Sequence, residues 1–130
     1  MEREFVPYKI ALALKELGFD ESCFGFYSQN NSLIYYQDSP NDYNYLEEAI
    51  QNIYAPTFSQ AFRWFREKYN LFCEIQIDRT TDPKFCFDIF QYEHFGNYKE
   101  IGIGEWYLCR TQEEAELECL KKLIEIVKEK

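Results

Sequence analysis

The chain has one histidine, His94, among 130 residues. Acid–base and nucleophilic catalysis near neutral pH relies on imidazole above other side chains. An enzyme of the common kinds therefore has little to build with. Cysteine pairs are missing as well. The five cysteines (Cys23, Cys73, Cys86, Cys109, Cys119) are odd in number, widely spaced and without a CxxC pair. That leaves no zinc-finger or ribbon spacing and points to reduced thiols in a cytosolic protein. No apolar run approaches the ~20 residues that a membrane-spanning helix needs. Glu2, Arg3 and Glu4 put charge where the apolar core of a secretion signal would begin. Between Lys15 and Arg63 no basic residue occurs, while Glu16, Asp20, Glu21, Asp38, Asp42, Glu47 and Glu48 all fall in that span.

What is present defines a class. The length suits one globular domain with a single core, residues 1–130. With 23 acids against 14 bases the formal charge is −9. That argues against direct nucleic-acid binding, which draws its affinity from clustered Lys and Arg, and against anionic membranes. Aromatic residues make up 19% of the chain, with 12 Phe, 11 Tyr and 2 Trp. The phenylalanines suit a core. Eleven tyrosines exceed what a core of this size absorbs, because each buried hydroxyl needs a partner, so some should lie at or near the surface.

Periodicity predicts three helices. Pro7 opens the first, over about residues 7–17. Ile10, Ala13, Leu14 and Leu17 recur at helical spacing, Gly18 closes it, and Phe19 is placed to fold back on the last turn. The second starts at Thr57, with Gln60 in the capping-box position. Its apolar stripe is Phe58, Ala61, Phe62, Phe65 and Tyr69, with Trp64 at the edge; Arg63, Arg66, Glu67 and Lys68 face water, and Asn70 is a left-handed stop. The third opens with Thr111–Glu114 as a capping box and buries Ala115, Cys119, Leu120, Leu123, Ile124 and Val127. Residues 45–54 carry Leu46, Ala49, Ile50 and Ile53 at helical spacing before Pro56, which reads as a short helix or irregular turn.

Strand patterns fill the intervals. Cys23–Tyr27 and Leu33–Tyr36 flank a polar turn and read as a hairpin. Leu71–Asp78 alternates cleanly, with Leu71, Cys73, Ile75 and Ile77 on one side. After a turn at 79–83, Phe85–Tyr92 returns as its partner. His94–Gly104 reads as a loop, and Glu105–Cys109 as a third strand of an antiparallel meander. The fold class is α+β: antiparallel sheet with about three helices, in the order α-β-β-(α)-α-β-β-β-α.

Candidate chemical sites are sparse. His94, at a strand end before Gly96, is either a loop histidine or half of a Cys–His pair, and the second needs an activating environment. Gly102-Ile103-Gly104-Glu105 is a fragment of a phosphate-binding loop, but a strand and not a helix follows it, so tight turns are the better reading. The carboxylate pairs Asp20/Glu21, Glu47/Glu48 and Glu113/Glu114 lack further oxygen ligands at the spacing a divalent cation needs. No catalytic set, metal site or cofactor is expected.

Residues 27–54 have the most functional character. Their Tyr, Asn and Ser content is the chemistry of adaptable recognition surfaces, rigid amphipathic rings beside small hydrogen-bonding groups. Tyr35, Tyr43 and Tyr45, with Asp38, Asp42, Glu47 and Glu48, are the candidate partner-binding residues. The plainer alternative is that the tyrosines cap the edge of the core and the acids only solubilise.

Three stretches carry a resemblance. They are Phe5-Val6-Pro7-Tyr8-Lys9-Ile10-Ala11-Leu12 through Gly18-Phe19-Asp20-Glu21, then Ala55-Pro56-Thr57-Phe58 through Phe62-Arg63-Trp64-Phe65-Arg66-Glu67-Lys68-Tyr69, and Glu113-Glu114-Ala115-Glu116 through Lys122-Leu123-Ile124. In these the chain resembles small uncharacterised proteins of gut-type bacteria and their phages or prophages, departing chiefly around 28–45 and 79–104. The resemblance implies an accessory protein of phage or mobile-element origin acting inside the bacterium. It supplies no functional residues.

Together these features favour a non-enzymatic interaction module that works in the cytoplasm and binds a protein partner. A different binding class stands second, an acidic mimic of nucleic acid that blocks a DNA-binding enzyme, and a small enzyme using His94 stands third. Oligomeric state leaves no mark in the pattern.

Overall fold

A computed structural model describes residues 2–35, 53–78, 84–93, 98–103 and 109–129. They form three α-helices and two three-stranded antiparallel sheets, an α+β fold. The chain divides into two compact units, Met1–Ala61 and Phe62–Lys130.

The first unit begins with α1, Tyr8–Glu16. Pro7 is its N-cap rather than its first helical residue, with extended backbone at φ −63°, ψ 161°. The end is a complete Schellman motif: Gly18 takes the left-handed conformation at φ 100°, its N–H donates to Lys15 O at 3.0 Å, and the Phe19 N–H donates to Leu14 O at 2.9 Å. Gly18 suits this because it has no Cβ to clash. Phe19 folds back and is buried, as its place after the glycine suggests.

Strands β1 (Gly25–Tyr27), β2 (Leu33–Tyr35) and β3 (Ile53–Ala55) form the first sheet, in the order β2-β1-β3. The hairpin expected from the sequence is present, shorter by two residues at its start, with Phe26 opposite Ile34. Its turn is closed by Ser28 N–H to Ser32 O at 3.0 Å and Asn31 N–H to Ser28 O at 2.9 Å, with Asn31 left-handed at φ 60°. β3 corrects the reading of residues 45–54. Ile53 and Tyr54 are extended, not the end of a helix, and pair with Tyr27 and Phe26. Pairing with a strand distant in sequence overrides the local helical spacing. Residues 36–52 lie outside the described residues. α1 packs on β3, and the segment before α1 runs beside the end of β3, with the Val6 N–H donating to Pro56 O at 3.0 Å.

Helix α2, Phe58–Tyr69, follows. Thr57 caps it by accepting the Gln60 N–H at 3.2 Å. The expected capping box is only half formed, because the Gln60 side chain donates instead to Glu21 Oε1 and Ser22 O. Ala61, Trp64 and Phe65 are buried, so Trp64 belongs to the core, while Arg63, Arg66, Glu67 and Lys68 are exposed. Asn70 stops the helix in the left-handed conformation at φ 54°.

The second unit holds β4 (Leu71–Asp78), β5 (Lys84–Tyr92) and β6 (Tyr98–Ile103), in the order β4-β5-β6. β6 corrects the meander. The third strand lies inside the stretch read as loop, its glycine content having concealed it. Gly102 pairs with Ile89 and Glu100 with Phe90, so Ile101 is the extra residue of a bulge. Cys109 makes an isolated bridge to Phe85, with both backbone hydrogen bonds at 2.8 Å. The remainder of the expected strand Glu105–Cys109 lies outside the described residues. Helix α3, Gln112–Lys128, packs on β5 and β4. Thr111 caps it by accepting the Glu114 N–H at 3.1 Å, and the Glu114 carboxylate reaches back to the Arg110 N–H at 2.9 Å.

Candidate functional site

Of the seven candidate partner-binding residues, Tyr35 is described. Asp38, Asp42, Tyr43, Tyr45, Glu47 and Glu48 fall in 36–52, outside the described residues, and His94 lies outside them too, in 94–97. Tyr35 ends β2 opposite Gly25. Its ring is half-buried and stacks on Phe5, with centroids 5.5 Å apart and planes inclined by 28°. Tyr35 thus spends part of its surface at the edge of the core.

Five further tyrosines behave alike. Tyr27 is buried and its hydroxyl donates to Val6 O at 2.7 Å, which satisfies the polar end of a core ring. Tyr8 meets Tyr27 edge-on at 5.6 Å. Tyr54, Tyr69 and Tyr92 are half-buried.

Exposure on the hairpin comes from other side chains. Phe24, just before β1, is 46% exposed, and Ile34, in the middle of β2, is 39% exposed. The turn residues Gln29, Asn30, Asn31 and Ser32 are exposed as well. Sequence reasoning placed Phe24 and Ile34 within strands and did not separate them from the core. Ile34 stands between two half-buried neighbours, Leu33 and Tyr35, in an apolar run without alternation, and no pattern marked its outward side.

The carboxylate pair Asp20/Glu21 has a structural use at Glu21. Glu21 Oε1 accepts from Gln60 at 3.3 Å, and its backbone oxygen accepts the Cys23 thiol at 3.2 Å. Burial, with Glu21 adding to it and Gln60 opposing, pushes the Cys23 thiol up to about 12. That sulfur is a core filler, not a nucleophile. Gly102 and Ile103 sit within β6, so the start of this fragment is sheet, and Gly104 and Glu105 lie outside the described residues.

In the second unit β4 carries Cys73 and α3, which packs on it, carries Cys119. Cys73 is half-buried and Cys119 fully buried.

Among the described residues, no three His, Cys, Asp or Glu side chains converge as a metal site requires, and no helix is long and apolar enough to cross a membrane. Comparison with protein-family models, curated proteins and solved structures finds no match to this chain.

Proposed function

We propose that the chain is a non-enzymatic module that binds a protein partner through the β1–β2 hairpin and the acidic, tyrosine-rich segment that follows it. The observation that carries this reading is the exposure of Phe24 and Ile34 on one hairpin, at 46% and 39%. Large apolar side chains of this kind become binding anchors when a partner covers them. They lie in the stretch between Lys15 and Arg63 that has no base, so the fitting partner is a basic surface with an apolar centre. Opposite charge steers the encounter and apolar burial holds the complex.

The carboxylates of α3 favour this reading over imitation of nucleic acid. There Glu118 pairs with Lys121 and Glu125 with Lys122, interleaving both signs where a phosphate-like row would need acids alone. Action inside a bacterium, in a phage or mobile-element setting, belongs to the same proposal, and the genes that flank this one test it.

The test is affinity capture from lysate of the source bacterium with the intact chain, Phe24→Ser and Ile34→Ser, followed by binding of the captured protein in purified form. Specific binding that weakens at least about tenfold in each folded variant, and falls with added salt, supports the reading. Recovery identical to that of the tag alone, or binding unchanged in both variants, overturns it.

A further inference from the structure

Strand β4 is an edge of the second sheet, with β5 on one side of it. The Tyr92 N–H donates to Asn70 O at 3.0 Å, which places a hydrogen-bonded pair just before Leu71. Bonded pairs alternate along an antiparallel ladder. Phe72, Glu74 and Gln76 therefore turn their N–H and C=O groups to β5, while Cys73, Ile75 and Ile77 turn theirs outward. The same alternation holds on β5, where Phe85 exchanges both backbone bonds with Cys109, on the side away from β4. Among the described residues, no backbone hydrogen bond reaches the outward groups of Cys73, Ile75 and Ile77.

Natural edges are blunted by proline, lysine, a bulge or shortness. β4 has none of these. It runs for 8 residues, Leu-Phe-Cys-Glu-Ile-Gln-Ile-Asp, and pairs with β5 along its whole length without a register shift. Glu74 and Gln76 are exposed on one face of it, and on the other Ile77 is 49% exposed. The edge belongs to a different sheet from the β1–β2 hairpin.

We propose that two copies of this chain join antiparallel along their β4 edges, Ile75 opposite Ile75, and merge two three-stranded sheets into one. Outward groups meet only where odd positions face odd positions, which leaves few registers. Charge selects among them. Setting Cys73 against Ile75 would oppose Glu74 to Glu74, and setting Ile75 against Ile77 would oppose Glu74 to Asp78. Like charges directly opposed destabilise a strand pair. Registers displaced further bring in Leu71, which is buried, or run past the end of β4. With Ile75 on the two-fold axis, Cys73 faces Ile77 of the second copy and Glu74 faces its Gln76. Gln76 donates to Glu74 Oε2 and Asp88 Oδ2 of its own chain, each at 3.2 Å and exposed. The first of these bonds can be exchanged for one to the Glu74 carboxylate of the second copy, which stands in the closer, non-hydrogen-bonded kind of pair. Three hydrogen-bonded pairs add about six backbone bonds, and the second copy covers Ile77. One patch complementary to itself is what a two-fold dimer requires.

The experiment is sedimentation equilibrium of the full chain in about 0.15 M salt, which screens the repulsion between two copies of charge −9. The expected result is a monomer–dimer equilibrium, with hydrogen exchange at the Cys73, Ile75 and Ile77 amides slowing as the dimer forms. Ile77→Lys should weaken the dimer at least about tenfold by putting a charge on the edge, and Gln76→Glu should do the same by opposing like charges on both sides of the axis. Glu74→Gln combined with Gln76→Glu again sets an amide opposite a carboxylate and should recover most of the affinity. All three positions are exposed, and circular dichroism verifies each fold. Where a variant unfolds, exchange in the wild-type chain decides. A chain that stays monomeric up to about 1 mM overturns the proposal. So does a dimer that leaves those three amides unprotected, one unchanged in both folded single variants, or a folded double variant as weak as Gln76→Glu alone.

Discussion

Gly25 faces Phe5 so closely that a Cβ at position 25 would stand 2.7 Å from Cε1 and 2.9 Å from Cδ1 of the Phe5 ring. The backbone oxygen of Ala55 lies 3.3 Å from the same point. Phe5 is itself buried and stacked on Tyr35, so the ring has little room to yield.

Gly25→Ala should therefore overpack the first unit and cost about 1–3 kcal/mol. Urea unfolding monitored by circular dichroism measures it. In a Phe5→Leu background the added methyl meets a smaller side chain, and the cost of Gly25→Ala should shrink by at least ~0.5 kcal/mol. Equal costs in both backgrounds would show that the ring is not what excludes the side chain.

Tyr27→Phe should cost about 1–3 kcal/mol, because it removes the donor to a carbonyl beside the core. The Tyr27 hydroxyl meets Val6 O at 2.7 Å across 21 positions of chain. The bond ties β1 to the segment preceding α1. Hydrogen exchange should report the loss locally, with faster exchange at the Val6 amide, which donates to Pro56 O. An unfolding midpoint unchanged from wild type contradicts this role.

Thr111→Ala should lower stability by about 1 kcal/mol, leaving the Glu114 N–H without its acceptor. Thr111→Ser keeps a hydroxyl at the cap and should recover most of the loss. Urea midpoints of the two variants against wild type make the comparison, and equal losses would rule out the cap as the cause.

Local signals account for what was readable in the chain. Pro7, Gly18 and Phe19 bracket α1, Thr57 and Asn70 bracket α2, and Thr111 opens α3, because caps and stops act through neighbours within one turn. The alternation of Leu71 to Asp78 marks β4 for the same reason. β3 was concealed because three residues carry no period of their own, and Ile53 to Ala55 become a strand only by pairing with Tyr27 to Gly25. β6 was displaced in the reading because Gly102 resembles a turn signal until Ile89 is set opposite it. Phe24 and Ile34 look like core residues in sequence. Their exposure depends on what covers each side of the hairpin, which no local pattern records.

Stability should fall at alkaline pH through Cys23. The buried thiol is raised from an ordinary value of 9.0 to about 12 in the folded chain. Below 9.0 both folded and unfolded chains hold the proton, and the full stability is present. Between 9.0 and about 12 the unfolded chain releases a proton that the folded chain keeps, so stability declines as pH rises through that window. The decline reaches about 4 kcal/mol at its upper end if burial is complete. Lysines, tyrosines and the other thiols titrate in the same range, so the measurement is a difference. Cys23→Ala is less stable than wild type at about pH 8, where wild type keeps its packed sulfur. As the pH is raised, wild type loses the Cys23 contribution and the variant has none to lose, so the gap between their urea-unfolding free energies should narrow. A gap that stays constant from about pH 8 to about pH 11 would mean that Cys23 ionises as readily in the folded chain as in the unfolded one.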